Sequence, residues 1–337
     1  METTTTRARI ERGTFDGEST WVLNHPDGAR LVVAETGATV LSWQAPRANG
    51  ELVELLDGYA SAAELAEQDG YRNAVLVPWS NRLRGGRYSF DGVEHALATD
   101  GNGEALHGLL TVARFARAQV SVRDSDLAVR LVASVAPGQY PGYPYSLDVA
   151  VSYALGVGSE GESRLGVEVT VTNTGETVAP VALGWHPYLR LPGHATIDDL
   201  EIEVPARSRV LTDDAKLPLA GEAALAGVAA PVRLSLAGTS LDQAFTDLVP
   251  DDDGVVATVL RSPRTGESLT VEQDPFEARV VHLFTGDALH RDPRASLAVE
   301  PCGFMADAFN RADAADALAL APGAQRQLVS DIVYRRS

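Results

Sequence analysis

Cysteine is nearly absent from this chain. Cys302 is the only one in 337 residues, which excludes an intrachain disulfide framework. Long apolar runs are missing as well. No stretch of eighteen or more apolar residues occurs, so no membrane-spanning helix is expected. The first residues, Met1 to Arg7, lack the apolar run of a secretion signal. Positive charge is scarce, with 28 Lys and Arg against 46 Asp and Glu. The formal net charge of −18 disfavours non-specific binding to nucleic acid or to anionic lipid. There is no phosphate loop and no dinucleotide fingerprint, and the His and acidic residues lack the tight spacing of a metal site. The expectation is a cytoplasmic protein without cofactor or metal, with no nucleic-acid or membrane partner.

Period-two alternation is what the sequence has in quantity. Val167, Val169 and Val171 alternate with Glu168, Thr170 and Thr172, and Leu200, Ile202 and Val204 alternate with Glu201 and Glu203, the pattern of half-buried strands. Tyr88 to His95 reads as a hairpin, because Asp91-Gly92 supplies the positive φ angles of a type I′ turn. Only Ser61 to Gln68 reads as a helix, with Ser61 as N-cap and Glu64 placed for a capping box. Strand-like segments recur from about residue 14 to residue 334 with no linker of distinct composition. The prediction is an all-β chain with very few helices, a single large antiparallel sandwich domain over 1–337, with residues 1–12 as a flexible arm.

Four segments carry chemistry beside a turn or a Pro-constrained stretch: Pro78 to Arg82, Leu106 to Gly108, Trp185 to Tyr188, and Val299 to Pro301. An Arg, two His and a Glu brought together by a β scaffold suit sugar chemistry, in which one group removes a proton, another donates one, and the rest hold hydroxyls. His107 precedes Gly108 after the loop Gly101-Asn102-Gly103, where the backbone can approach a ligand closely. His186, between Trp185 and Pro187, is predicted to point into a rim. Glu300 ends the apolar run Leu297 to Val299 before Pro301, which places a partly desolvated, more basic carboxylate at the mouth of a sheet. His282 shares a strand face with Val280 and Phe284 and reads as a core or cleft-wall residue. His25, His95, His194 and His290 fall in turns, a hairpin arm and polar loops. An edge carboxylate paired with Arg, a turn Asp242 and a solvated run Arg82-Arg84-Arg87 are the competing structural readings.

In this order, Asn81-Arg82 with Gly86 to Gly92, Leu106-His107-Gly108, His186-Pro187-Tyr188, Leu241-Asp242, and Glu300-Pro301 followed by Asp307 to Asn310 resemble the aldose 1-epimerase (galactose mutarotase-like) family. The resemblance runs over nearly the whole chain. It implies a β-supersandwich and an isomerase that interconverts the α and β anomers of a free aldohexose without a cofactor. By position it implies Glu300 as general base and His186 as general acid. Arg82, His107, Asp242 and Asn81 would grip the sugar, and Trp185, Trp79 and Phe284 would wall it.

The run Pro301-Cys302-Gly303-Phe304-Met305-Ala306 departs from many members. The form Trp185 to Arg190 looks closer to a bacterial branch that includes sulfoquinovose mutarotase-like proteins. That makes an anionic hexose the rival substrate, with Arg84, Arg87 or Arg190 to hold its charge. A hexose-6-phosphate branch fits less well, since Leu109-Leu110 replaces its Arg. Two other classes compete: a non-catalytic carbohydrate-binding protein or sensor, and a glycoside hydrolase using Asp242 and Glu300. The expected partner is a small sugar, on a monomer or homodimer.

Overall fold

The structure, a computed structural model, describes residues 7–101, 103–123, 126–158 and 160–336. Antiparallel sheets of five, nine and eight strands form most of it. Among the described residues only Ala62–Glu67 and Ala315–Leu318 are α-helical. The five-stranded sheet is a meander from Arg9–Phe15 to Leu52–Glu54. Its first strand pairs Arg9 with Asn24 and Arg12 with Trp21. The flexible arm expected over residues 1–12 is therefore corrected for residues 9–12, whose backbone bonds are consumed in a ladder. Residues 1–6 lie outside the described residues.

The local signals act as their chemistry requires. In Ser163–Asn173 the alternating valines are buried between partners on both sides. Asp91 and Gly92 both have positive φ, +50° and +73°, and join Arg87–Phe90 to Val93–Ala96. Ser61 caps the helix by accepting from the Glu64 N–H at 3.1 Å. The Glu64 carboxylate reaches back one residue further than a capping box, to the Ala60 N–H at 2.6 Å.

The eight-stranded sheet positions the site. Its adjacent strands Asp242–Leu248, Val280–Phe284 and Leu297–Cys302 are antiparallel, with Phe284 opposite both Asp242 and Ala298, and His282 opposite both Ala244 and Glu300. Alternation splits these strands into two faces. Phe245, Val281, Leu283, Leu297 and Val299 enter the main core, the cluster that also takes Trp21 and Trp43 from the first sheet and Val151 and Val169 from the nine-stranded one. Burying each such aliphatic side chain contributes about 1.5–3 kcal/mol. Asp242, His282, Phe284 and Glu300 are left on the opposite face. The apolar half of each strand thereby fixes the direction of the polar half.

Candidate active site

That polar face is the floor of a cavity of about 320 Å³, lined by Tyr71, Asn81, Arg82, His107, His186 and Tyr188 together with Asp242, His282, Phe284, Leu289 and Glu300. The volume is at the small end of the range for ligand pockets, about 300–1,000 Å³, and suits one monosaccharide rather than a chain. Glu300 is 1% exposed. It does not end its strand, as its proline neighbour suggested, because the strand continues through Pro301 to Cys302 with partners on both sides. The carboxylate therefore sits in the middle of the sheet, not at its mouth.

His186 follows the short strand Gly184–Trp185, whose Gly184 lies opposite Cys302. Cys302 shares the face of Glu300, so Gly184 faces that side as well. Trp185 points the other way, into the core, where it is fully buried, and its indole N–H donates to the Asn73 carbonyl at 3.3 Å. The expectation that Trp185 contacts the sugar is corrected here: it does not line the cavity. Trp79 is likewise a core residue, set edge-on to Phe309, whereas Phe284 is a wall of the cavity.

His186 returns to the cavity with its Nε2 3.4 Å from Glu300 Oε1. Asn73 anchors this segment through its N–H to the His186 carbonyl, 3.0 Å, and its side-chain oxygen to the Tyr188 N–H, 3.0 Å. The His186 ring stacks on Tyr188 at 5.0 Å. Behind Tyr188 lies the guanidinium of Arg72, 5.4 Å from the ring centre, itself buried and paired with Asp57. This layered support was not apparent from the sequence.

Arg82 and His107 come from a second pair of segments, Arg82–Leu83 against Ala105–Leu106. Asn81 and His107 both adopt left-handed backbone, φ +58° and +57°. The Asn81 side-chain oxygen accepts from the Arg82 N–H at 2.9 Å and lies 3.3 Å from its guanidinium. Gly108 is required for a reason other than ligand approach. A Cβ there would lie 2.1 Å from the Val77 carbonyl oxygen at φ +84°, so the close approach is between two backbones of the protein. Of the preceding loop, Gly103 meets nothing within 4 Å, and Asn102 lies outside the described residues.

His282 Nε2 is 2.8 Å from Asp242 Oδ1, and Lys216 Nζ lies 3.7 Å from Asp242 Oδ2. Arg84 and Arg87 are exposed, and Arg84 pairs with Asp213 and Asp307. Neither these two nor Arg190 lines the cavity, and His25, His95, His194 and His290 also lie outside it.

The electrostatics separate these groups. Burial pushes Glu300 up to about 7, with Asp242 adding to the rise while His282 and Arg82 oppose it. Burial, then the charge of His282, brings His186 down to about 3. Burial also holds His107 well below the usual imidazole range, aided by His186 and Arg82. Burial works against the ionised forms of His282 and Asp242 too, but here the partners win. Glu300 and Asp242 raise His282, and the hydrogen bond and charge of His282 hold Asp242 at about 2. Below about pH 7 the 3.4 Å contact between His186 and Glu300 is thus a neutral pair holding one proton, and above it a carboxylate facing a neutral imidazole. Of the three cavity histidines only His282 is shifted toward the charged form. Such groups titrate together, and the proton belongs to the pair.

A family model described as Aldose 1-epimerase matches residues 19–332. The chain belongs to the aldose 1-epimerase family. The family's named members among its relatives, galactose mutarotases and aldose 1-epimerases, are isomerases. The chain is 27% identical to the uncharacterized protein YihR of Escherichia coli (strain K12), over 78% of this chain and 79% of that protein. It is 26% identical to the galactose mutarotase of Sus scrofa over 61% of this chain, which spans 58% of that enzyme's length. Among solved structures, galactose 1-epimerase from Lactobacillus acidophilus NCFM superposes with a TM-score of 0.78 at 16% identity, covering 98% of both chains. The family fold is therefore kept from end to end, and the all-β sandwich read from the alternation is the fold observed.

Proposed function

We propose that the protein is a mutarotase acting on a free aldohexose, with Glu300 as general base and His186 as general acid. The observation that carries this is the approach of His186 Nε2 to Glu300 Oε1 at 3.4 Å in a cavity of about 320 Å³ that Arg82, His107 and Asp242 also line. Above about pH 7 Glu300 is a carboxylate beside a neutral His186, so a proton taken up by the carboxylate can pass to the imidazole across 3.4 Å. The carboxylate takes the proton of the anomeric hydroxyl, and the electron pair left behind forms the carbonyl. The bond from the anomeric carbon to the ring oxygen breaks, and the ring oxygen takes the proton that His186 has received from Glu300. Rotation about the adjacent carbon–carbon bond and closure by the reverse steps deliver the other anomer. Acid and base catalysis of this kind contribute roughly 10² to 10⁴ each, which is ample for a reaction that proceeds slowly in water.

A neutral hexose suits the site better than an anionic one. Arg84 is neutralised by two carboxylates, and the cavity wall itself offers Asp69, Asp242 and Glu300 against Arg82 and His282. One further electrostatic feature favours a second reading. Two carboxyls pushed apart, Asp242 to about 2 and Glu300 to about 7, are also the pattern of a glycoside hydrolase. Asp242 Oδ1 is, however, committed to His282, and the nearest proton-carrying neighbour of Glu300 is an imidazole. A pure sugar-binding role has no need of that matched pair. NMR exchange measurements on α-glucose and α-galactose, run beside an aryl glycoside and a sulfonated hexose, separate the three. Anomer exchange without release of the aryl group supports the mutarotase.

A further inference from the structure

His282 is the feature of the site that the acid–base pair does not explain. It is a largely buried histidine in the middle strand of three, directly opposite Glu300, with one ring nitrogen fixed by Asp242 at 2.8 Å. Directly opposed residues on neighbouring strands have their Cβ atoms only about 4.5–5.5 Å apart, so register alone makes His282 and Glu300 neighbours on one face of the sheet. The other ring nitrogen, Nδ1, has no protein hydrogen bond among the described residues, and the ring lines the cavity.

A wall residue needs neither the carboxylate brace nor this position, whereas a buried cation needs both. The charged and titratable groups around it are Asp242 and Glu300 from the flanking strands, Arg82 and His107 from the loop pair, and His186 from the adjoining strand end. Lys216 sits beyond Asp242. Glu300 and Asp242 thus act on His282 more strongly than the opposing charge of Arg82.

We propose that His282, braced by Asp242, is the positioning and charge-setting residue of this site: its imidazolium favours the carboxylate form of Glu300 and offers Nδ1–H to a sugar oxygen. The proposal rests on the reading of Glu300 as the base. Without that cation the buried carboxyl of Glu300 would hold its proton to higher pH, and the base would be missing where it is needed. The raised His282 and the lowered Asp242 agree with this division of charge.

The experiment is His282→Gln, which keeps a hydrogen-bond donor toward Asp242 and removes only the charge, assayed by anomer exchange from pH 5 to pH 9. The acid limb of kcat/KM should move up by about one to two pH units, a loss of roughly tenfold or more below the limb with far smaller loss on the alkaline plateau. A merely structural His282 would instead lower activity equally at every pH, or not at all with Gln in place, and either result overturns the proposal. Titration of the histidine C2–H resonances in the sugar-free protein provides a readout that needs no turnover. His282, identified by its absence from the His282→Gln spectrum, should titrate above an ordinary histidine in the wild type and shift down in Glu300→Gln. Titration below the ordinary range would overturn the proposal even in an inactive protein. If the wild type lacks exchange activity while His282 titrates high, it is the mutarotase reading that fails.

Discussion

Asn81 and His107 hold each other through two hydrogen bonds. The His107 N–H donates to the Asn81 carbonyl at 3.0 Å, and the Asn81 N–H donates to His107 Nδ1 at 3.3 Å. The second bond fixes the tautomer. With Nδ1 accepting, the ring proton lies on Nε2, and a neutral His107 presents a donor on its free side. This is a group that grips an oxygen rather than one that passes a proton. His107→Asn and Arg82→Ala should therefore raise KM markedly, while His186→Asn should act mainly on kcat. Steady-state kinetics on the three variants check this split. A His186→Asn protein changed only in KM would reverse the assigned roles.

The pH dependence follows from the shifts. Glu300 is brought up to about 7, so lowering the pH protonates the base, and kcat/KM should rise through about pH 7 to a plateau. His282 is raised, and the loss of its proton should bring the profile down again on the alkaline side. The limbs belong to the coupled groups, not to either residue alone. The sign for stability is the opposite of the usual carboxylate case. A folded-state value above the ordinary 4.5 means that the folded protein binds this proton more tightly, so stability falls as pH rises through about 4.5–7. Glu300→Gln should accordingly gain stability over wild type at pH 8 and gain none at pH 4, measured by urea denaturation.

Gly108→Ala tests the backbone contact that presents His107. The new methyl group would sit 2.1 Å from the Val77 carbonyl oxygen at φ +84°. Overpacking and left-handed strain together should cost at least about 1–3 kcal/mol. Thermal denaturation should show it, and the displaced His107 should raise KM in whatever protein remains folded.

Trp185→Ala separates core from contact. The indole is fully buried against Asn73, so its loss should cost about 3–5 kcal/mol. Trp185→Phe, in contrast, should leave KM for the sugar within a few-fold of wild type. A large KM change in a stable Trp185→Phe protein would place that ring in the sugar's path after all.

One nitrogen of each cavity imidazole has a protein partner. Asn81 holds His107 Nδ1, Glu300 faces His186 Nε2, and Asp242 holds His282 Nε2. The acid–base pair carries out both proton transfers without a metal. Activity should survive dialysis against a strong chelator, and loss restored by one particular metal would contradict the acid–base account.

The alternation in Val280 to Phe284 and the apolar strand Leu297 to Val299 were legible in the sequence because period two and apolar runs are local properties. So were the Asp91-Gly92 turn and the Ser61 cap, since each depends on residues within one turn. The register that sets His282 opposite Glu300, and Phe284 opposite Asp242, was not. It joins segments that are far apart along the chain, and only the assembled sheet defines it. For that reason His282 read as a wall. Trp185 was misplaced for a related reason: the face it takes is decided by the pairing of Gly184 with Cys302, more than a hundred residues away. Tyr71 and Tyr188 reach the cavity from a tight turn and from the segment held by Asn73. Neither position carries a local signature.

The central claim is that Glu300 removes the anomeric proton. Its most direct test is the exchange rate between the anomers of glucose and galactose, followed by NMR saturation transfer with wild type and Glu300→Gln at pH 8. The account predicts rapid exchange with the wild type and a loss of at least about 10²-fold in a folded Glu300→Gln protein. Near wild-type exchange in that variant, with the fold intact by circular dichroism, would contradict it.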